Sequence, residues 1–178
     1  MKRQFISLAA ALCLALTVTA CGGGSSIPAL DTSSAESSAA DTYTYADMTK
    51  LAADMAAADS TLPDMLTVTD ADDGAEASFA SIGDMAYDKI AHWLLVYSSE
   101  GKADEICVIA VNNAGDVKEA KDTLQKHADS RVRMYREYDA SQAPRAEKAV
   151  IFTEGRYAVL IICDNADAVK AAFQAGIA

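Results

Sequence analysis

Two of the four cysteines and both histidines of this 178-residue chain are the candidates for covalent catalysis. Cys107 lies in the run DEICVIAV (104–111), Cys163 ends RYAVLIIC (156–163), and the histidines are His92 and His127. A thiol attacks only as an accessible thiolate beside a base. Both cysteines stand instead among aliphatic and β-branched neighbours. The first reading is two buried free thiols filling core space, a disulfide between their strands is the second, and a catalytic thiol the last. The histidines are far apart and no CxxC or HExxH spacing occurs, so zinc is not expected. The acidic run Asp70-Ala71-Asp72-Asp73-Gly74 has the oxygens for calcium but not the spacing. An EF-hand loop sets oxygen ligands at alternate positions before its glycine and closes on glutamate. Counting from Asp70 brings Gly74 one place early, and counting from Thr69 puts Ala71 and Ala80 at ligand places. A solvated acidic turn is expected. No phosphate-binding glycine loop or nucleophile elbow is present in the sequence. A non-catalytic protein with no cofactor and no metal is the expectation.

Two groups of residues are candidates for holding a partner. Trp93, Leu95 and Tyr97 share one side of HWLLVYSS (92–99), and His92, Leu94 and Val96 share the other. An uncovered aromatic side would stack on sugar rings or seat a protein; covering by the 47–90 segment is the first reading. Arg131, Arg133 and Arg136 crowd the end of a long helix, where cations complement the helix dipole. Arg133 and Arg136 project away from the apolar stripe and form a basic patch on an acidic chain. Trp93, Tyr97, Arg133 and Arg136 are therefore the candidate ligand or partner face.

The elements that must position these residues follow from periodicity. Met48, Leu51 and Met55 recur at helical spacing after Asp47, which predicts a helix over about 47–59. Region 64–90 reads as a loop, with a short strand near 76–82 and a short helix near 84–89. Strands are predicted at 92–99, 104–111, 148–153 and 156–163. A helix is predicted from about Asp116 to Tyr138, with Val117, Ala120, Leu124, Ala128, Val132, Tyr135 and Tyr138 inward, and a closing helix over Ala166–Ala175. Glu100-Gly101-Lys102 matches Glu154-Gly155-Arg156, and Asn113-Ala114 with Val117-Lys118 matches Asn165-Ala166 with Val169-Lys170. Tandem duplication and convergence on common turn residues both account for this. The predicted fold is α+β: a four-stranded antiparallel sheet from two strand-strand-helix units, helices on one face, plus an N-terminal helix.

The chain starts Met1-Lys2-Arg3 and then runs apolar from Phe5 to Val18, the pattern of a secretory signal and too short for a spanning helix. Val18-Thr19-Ala20-Cys21 resembles the lipobox of bacterial lipoproteins, in which the cysteine is lipidated. Residues 1–20 are thus expected to be removed, and Cys21 to carry the anchor at the outer face of the cell membrane. Losing Lys2 and Arg3 takes the formal charge from −11 to −13. Such a chain is repelled by phosphate backbones, so no nucleic-acid partner is expected. Residues 21–42 (CGGGSSIPALDTSSAESSAAD, then Thr42) lack apolar periodicity and read as a flexible tether with a reach of about 25 Å. Residues 43–178 suit one domain.

The segment from about Tyr87 to Phe173 resembles domain of unknown function 4358, a family found on lipoproteins of anaerobic Gram-positive bacteria. The likeness rests on ADEICVIAV (103–111), the long helix after it, KAVIFTEGRYAVLIICDNADAVKAAF (148–173), and the lipobox ahead of a Ser-rich tether. The resemblance implies a cell-surface lipoprotein and transfers no catalytic residue. The expected partners are the membrane, through lipid on Cys21, and an unknown protein or envelope component. The alternative expectation is a small-ligand receptor for cell-wall glycan or solute.

Overall fold

A computed structural model describes residues 43–178. The expected signal segment, the tether and Cys21 lie outside the described residues. The domain is built on a five-stranded antiparallel sheet in the order β1-β2-β3-β5-β4. Its strands are β1 (Met65–Thr69), β2 (Ile90–Ser98), β3 (Glu105–Val111), β4 (Val150–Glu154) and β5 (Tyr157–Ile162). The four-strand expectation is corrected by β1, which pairs along the outer edge of β2 with Leu66 opposite Tyr97 and Val68 opposite Leu95. Its β-branched residues lie in the span read as a loop. The strand expected near 76–82 is instead the short helix α2 (Ala75–Phe79), which buries Ala75 and Phe79. The short helix expected near 84–89 is a 3₁₀ turn over Tyr87–Lys89.

Helices cover both faces of the sheet, which corrects the expectation of one covered face. On one face lie α2, α3 (Val117–Tyr138) and α4 (Ala143–Ala146), packed on Trp93, Cys107, Ile109, Leu160 and Ile162. On the other lie α1 (Met48–Ala57) and α5 (Ala166–Gly176), packed on Leu94, Val96, Ile106, Val108, Val159 and Ile161. The reason is in the central strands. Every residue of β3 and β5 is buried, and a strand apolar on both sides must be covered on both. The expectation that the 47–90 segment covers the second side of β2 is met by α1, which lies over Leu94 and Val96. The strand-strand-helix order does recur, as β2-β3-α3 and β4-β5-α5. Yet α3 and α5 lie on opposite faces.

α1 begins on Asp47, whose side chain accepts from the Lys50 N–H at 2.9 Å, and it buries Met48, Leu51, Ala52 and Met55; the cap satisfies one orphan donor. Along α3 the stripe Ala120, Leu124, Ala128 and Tyr135 is buried as expected, but Tyr138 is 79% exposed. The 22-residue helix is about 33 Å long, whereas the seven residues of β3 span only about 23 Å. The last turn of α3 therefore overhangs the end of the sheet and takes Tyr138 with it.

Candidate functional site

Two adjoining clefts open on the α3 face, where α2 and α3 leave the outer part of β1 and β2 uncovered. The first, about 410 Å³, has Val68, Leu95 and Tyr97 along its floor, Ala77, Ser78 and Ser81 on the α2 side, and Glu105, His127 and Arg131 on the other. The second, about 430 Å³, continues toward the β2–β3 hairpin and is lined by Tyr97, Lys102, Met134, Tyr135 and Tyr138. Both share Tyr97 and Arg131, so together they form one groove. Leu66, Met134 and Tyr138 are the large apolar side chains left exposed among the described residues. Leu66 stands directly across from Tyr97 in the β1–β2 pairing, while Met134 and Tyr138 line the groove itself.

The polar wall is a locked set of charges. His127, Arg131 and Tyr135 are spaced by four along α3 and so fall on one side of it. Glu105, at the start of β3, is buried and points to the same place: its Oε1 lies 2.6 Å from His127 Nε2, and its Oε2 lies 3.0 Å from Arg131 Nε. Arg131 Nη2 donates to the Tyr135 hydroxyl at 3.1 Å, and its guanidinium sits 5.0 Å from the centre of that ring. The Tyr135 hydroxyl in turn donates toward the carbonyls of Gly101 (3.1 Å) and Lys102 (2.5 Å) in the hairpin. Burial raises the pKa of the Tyr135 phenol, with Arg131 offsetting part of the shift, so this donor stays protonated at neutral pH. A second charged tie lies beside the first. Asp104 is buried and pairs with Arg145 of α4, which also reaches Asp164 at 2.5 Å.

The expected partner residues are divided by this arrangement. Tyr97 is half-buried in the groove. Trp93 lies at the base of the first cleft but is fully buried, so it offers no exposed aromatic surface: its indole packs edge-on against Phe79 at 5.6 Å and donates to the Tyr87 hydroxyl at 3.2 Å. Helix α2 is what covers it. Arg133 and Arg136 are exposed on the solvent side of α3, and Arg136 is paired with Glu147 at 2.6 Å, so neither enters the groove. The groove residues passed over in the sequence are Glu105, Met134 and Arg131 as a lining residue, together with Leu66 across from Tyr97. The four-residue spacing of His127, Arg131 and Tyr135 was the available signal.

Cys107 and Cys163 are free, and they sit on opposite faces of the sheet, Cys107 in the α3 layer and Cys163 against the α1–α5 layer. Burial, followed by the nearby charge of Glu105, pushes the Cys107 thiol well above its ordinary pKa. Burial together with a hydrogen bond to Asp59 pushes Cys163 up to about 12. Both are thiols rather than thiolates at neutral pH. In the acidic turn, Asp70 holds His92 Nδ1 at 2.8 Å and accepts from the Trp93 N–H at 3.2 Å, while Asp72 accepts from the Thr69 N–H at 2.7 Å. Asp70 thus fastens the turn to β2, and Asp72 closes it onto the end of β1. No cluster of three metal-ligating side chains occurs among the described residues.

The fold and groove define an α+β domain with an open, amphipathic cleft at one end of its sheet. Residues 67–163, more than half of the chain, match the family described as Domain of unknown function (DUF4358), and the chain belongs to that family. The matched span runs from within β1 to Cys163 and so contains α2, α3 and α4 but not Leu66, while α1 and α5 flank it. Neither a curated protein nor a solved structure matches the chain significantly.

Proposed function

We propose that this is a lipid-anchored protein of the outer face of the cell membrane, held through Cys21, whose domain binds a protein partner and catalyses no reaction. The observation that carries the binding reading is the convergence of Leu66, Met134 and Tyr138 around Tyr97 at a groove that also contains Arg131. Tyr, Met and Arg are the residue types enriched at the centres of protein interfaces. Leucine and methionine offer a sugar ring no flat platform, so a protein suits the groove better than a glycan. The groove also lies at the opposite end of the sheet from Tyr43, whose hydroxyl packs against Gly155 in the β4–β5 turn. The protonated state of both thiols supports the non-catalytic part of the reading.

A photo-crosslinking residue placed at Tyr138 in living cells tests it against the same residue at Gln125, which is exposed on α3 away from the groove. A discrete protein adduct from position 138 alone is the expected result. Adducts with wall glycan in its place would make the domain a glycan receptor, and equal labelling from both positions would remove the groove as the site.

A further inference from the structure

Resting on the reading of the groove as a protein-binding site, we infer that Arg131 is its specificity-determining residue. The partner element it takes is a short segment carrying a carboxylate beside an apolar side chain. The guanidinium is placed before any partner arrives by its ion pair with Glu105, whose Oε2 lies 3.0 Å from Nε without a hydrogen bond between them, and by the hydrogen bond from Nη2 to Tyr135. Nη1 has no protein partner among the described residues, and the side chain is 20% exposed where it lines both clefts. A pre-positioned arginine presents donors at little further entropic cost.

The neighbouring cations are committed or turned elsewhere. Lys102 pairs with Glu100 at 2.6 Å, Arg136 pairs with Glu147, and Arg133 lies on the solvent side of α3. The open cationic edge in the groove is therefore that of Arg131. Its anion carries a single charge. Glu105 already occupies the Nε side of the fork, and the whole chain has a formal charge of −11, so a doubly charged phosphate meets more repulsion than a carboxylate does. The same net charge means that long-range attraction does not steer the acid in. Contacts at Leu66, Tyr97, Met134 and Tyr138 must hold the segment while the carboxylate reaches Nη1, which makes an apolar residue next to the acid part of the recognised chemistry.

The test is selection of short random peptides displayed against the immobilised full chain, followed by calorimetric titration of a selected peptide and its acid-to-amide analogue. The expected consensus pairs Asp or Glu with an aliphatic or aromatic neighbour, and the amide analogue binds about tenfold or more weakly, the scale of one charge-assisted hydrogen bond. Arg131→Gln abolishes the difference between the two peptides, whereas Met134→Ala weakens both alike. Because Arg131→Gln leaves Glu105 with less compensation, Arg131→Lys is the companion variant and is expected to reduce the acid preference in a folded protein. Peptides that are sensitive to Met134→Ala but indifferent to their acid overturn the role of Arg131 and leave the binding groove standing. If no selected peptide responds to Met134→Ala or Tyr138→Ser, the groove reading and this inference fall together.

Discussion

Val159 and Leu160 are neighbours in β5, and both are fully buried, yet they look out on different surroundings. Val159 faces a layer made of Met48, Leu51 and Met55 from α1, Val169 and Phe173 from α5, and a run of stacked rings. Tyr43, Tyr45, Tyr157, Phe173 and Phe152 follow one another edge to face, with centroids 4.7 to 6.1 Å apart along the series. Leu160 faces a layer that also admits Glu105, Asp104 and their cations, and that stays open between α2 and α3. Charges removed from water are weak contributors to stability even when paired. A face shaped for stability alone would resemble the first. The buried carboxylates and the groove beside them set the second apart, and the partner proposed above would sit on that face. The α1–α5 side does hold one buried acid, Asp59, but neutral donors satisfy it. Its carboxylate accepts from the backbone N–H and hydroxyl of Thr61 and from the backbone N–H and side-chain amide of Asn165.

The contrast can be broken most severely on the sealed side. Phe173→Ala opens a cavity between Phe152 and Tyr157 and is expected to destabilise the fold by about 3–5 kcal/mol, read from urea denaturation. A loss no larger than that of a surface change would mean the sealed layer is not the main source of stability. Arg145→Ala comes next, since it leaves Asp104 buried without its counter-charge; about 3 kcal/mol is expected. Adding Asp104→Asn to that variant should restore part of the loss, and an additive double variant would deny the coupling.

Asp59→Ala is a smaller change, about 1–3 kcal/mol at neutral pH, because it strands the donors of Thr61 and Asn165. Burial alone would raise the Asp59 pKa, but these hydrogen bonds outweigh it and hold the carboxyl well below the usual carboxylate range. The folded pKa lies below the unfolded one. The stabilisation is therefore complete above the ordinary carboxylate range and is lost as pH falls toward the depressed value. The gap between wild type and variant should accordingly narrow in strong acid; a gap that widens there would contradict the assigned shift. Smallest of all, Tyr138→Ser and Met134→Ala should alter stability by no more than about 0.5 kcal/mol while weakening partner binding. A large stability loss from either would make that overhanging turn part of the core.

The strands β2 to β5 and the helices α1, α3 and α5 were legible because each has an uninterrupted apolar run or a clear helical stripe. RYAVLIIC also held the signal for two covered faces, since a strand without alternation is apolar on both sides. β1 and α2 were not legible: Met65–Thr69 is a short edge strand whose Leu66 and Thr67 remain exposed, and the polar residues of Ala75–Phe79 mask a single-turn anchor. The groove was half legible. His127, Arg131 and Tyr135 share a helix face by spacing alone, but Glu105 joins them across 22 residues of chain, which only the packing of α3 on the sheet brings about. Tyr138 failed for a simple reason of length, as a helix pattern says nothing of where the sheet beneath it stops.

The anchoring of residues 43–46 bears on how the domain carries a pull. Arg156 lies over the Tyr43 ring at 4.6 Å, Tyr45 donates to the Val111 carbonyl at 2.7 Å, and the Ala46 N–H donates to the Tyr157 hydroxyl at 2.9 Å. This clasp grips the ends of β3 and β5 opposite to the Tyr97 groove. Tension between an N-terminal anchor and a partner in the groove would run lengthwise along the strands. The inter-strand hydrogen bonds, perpendicular to that line, would then be loaded together in shear instead of parting one after another from an end. The few bonds of the clasp would be the first to yield, paying out chain while the sheet and its groove stay folded.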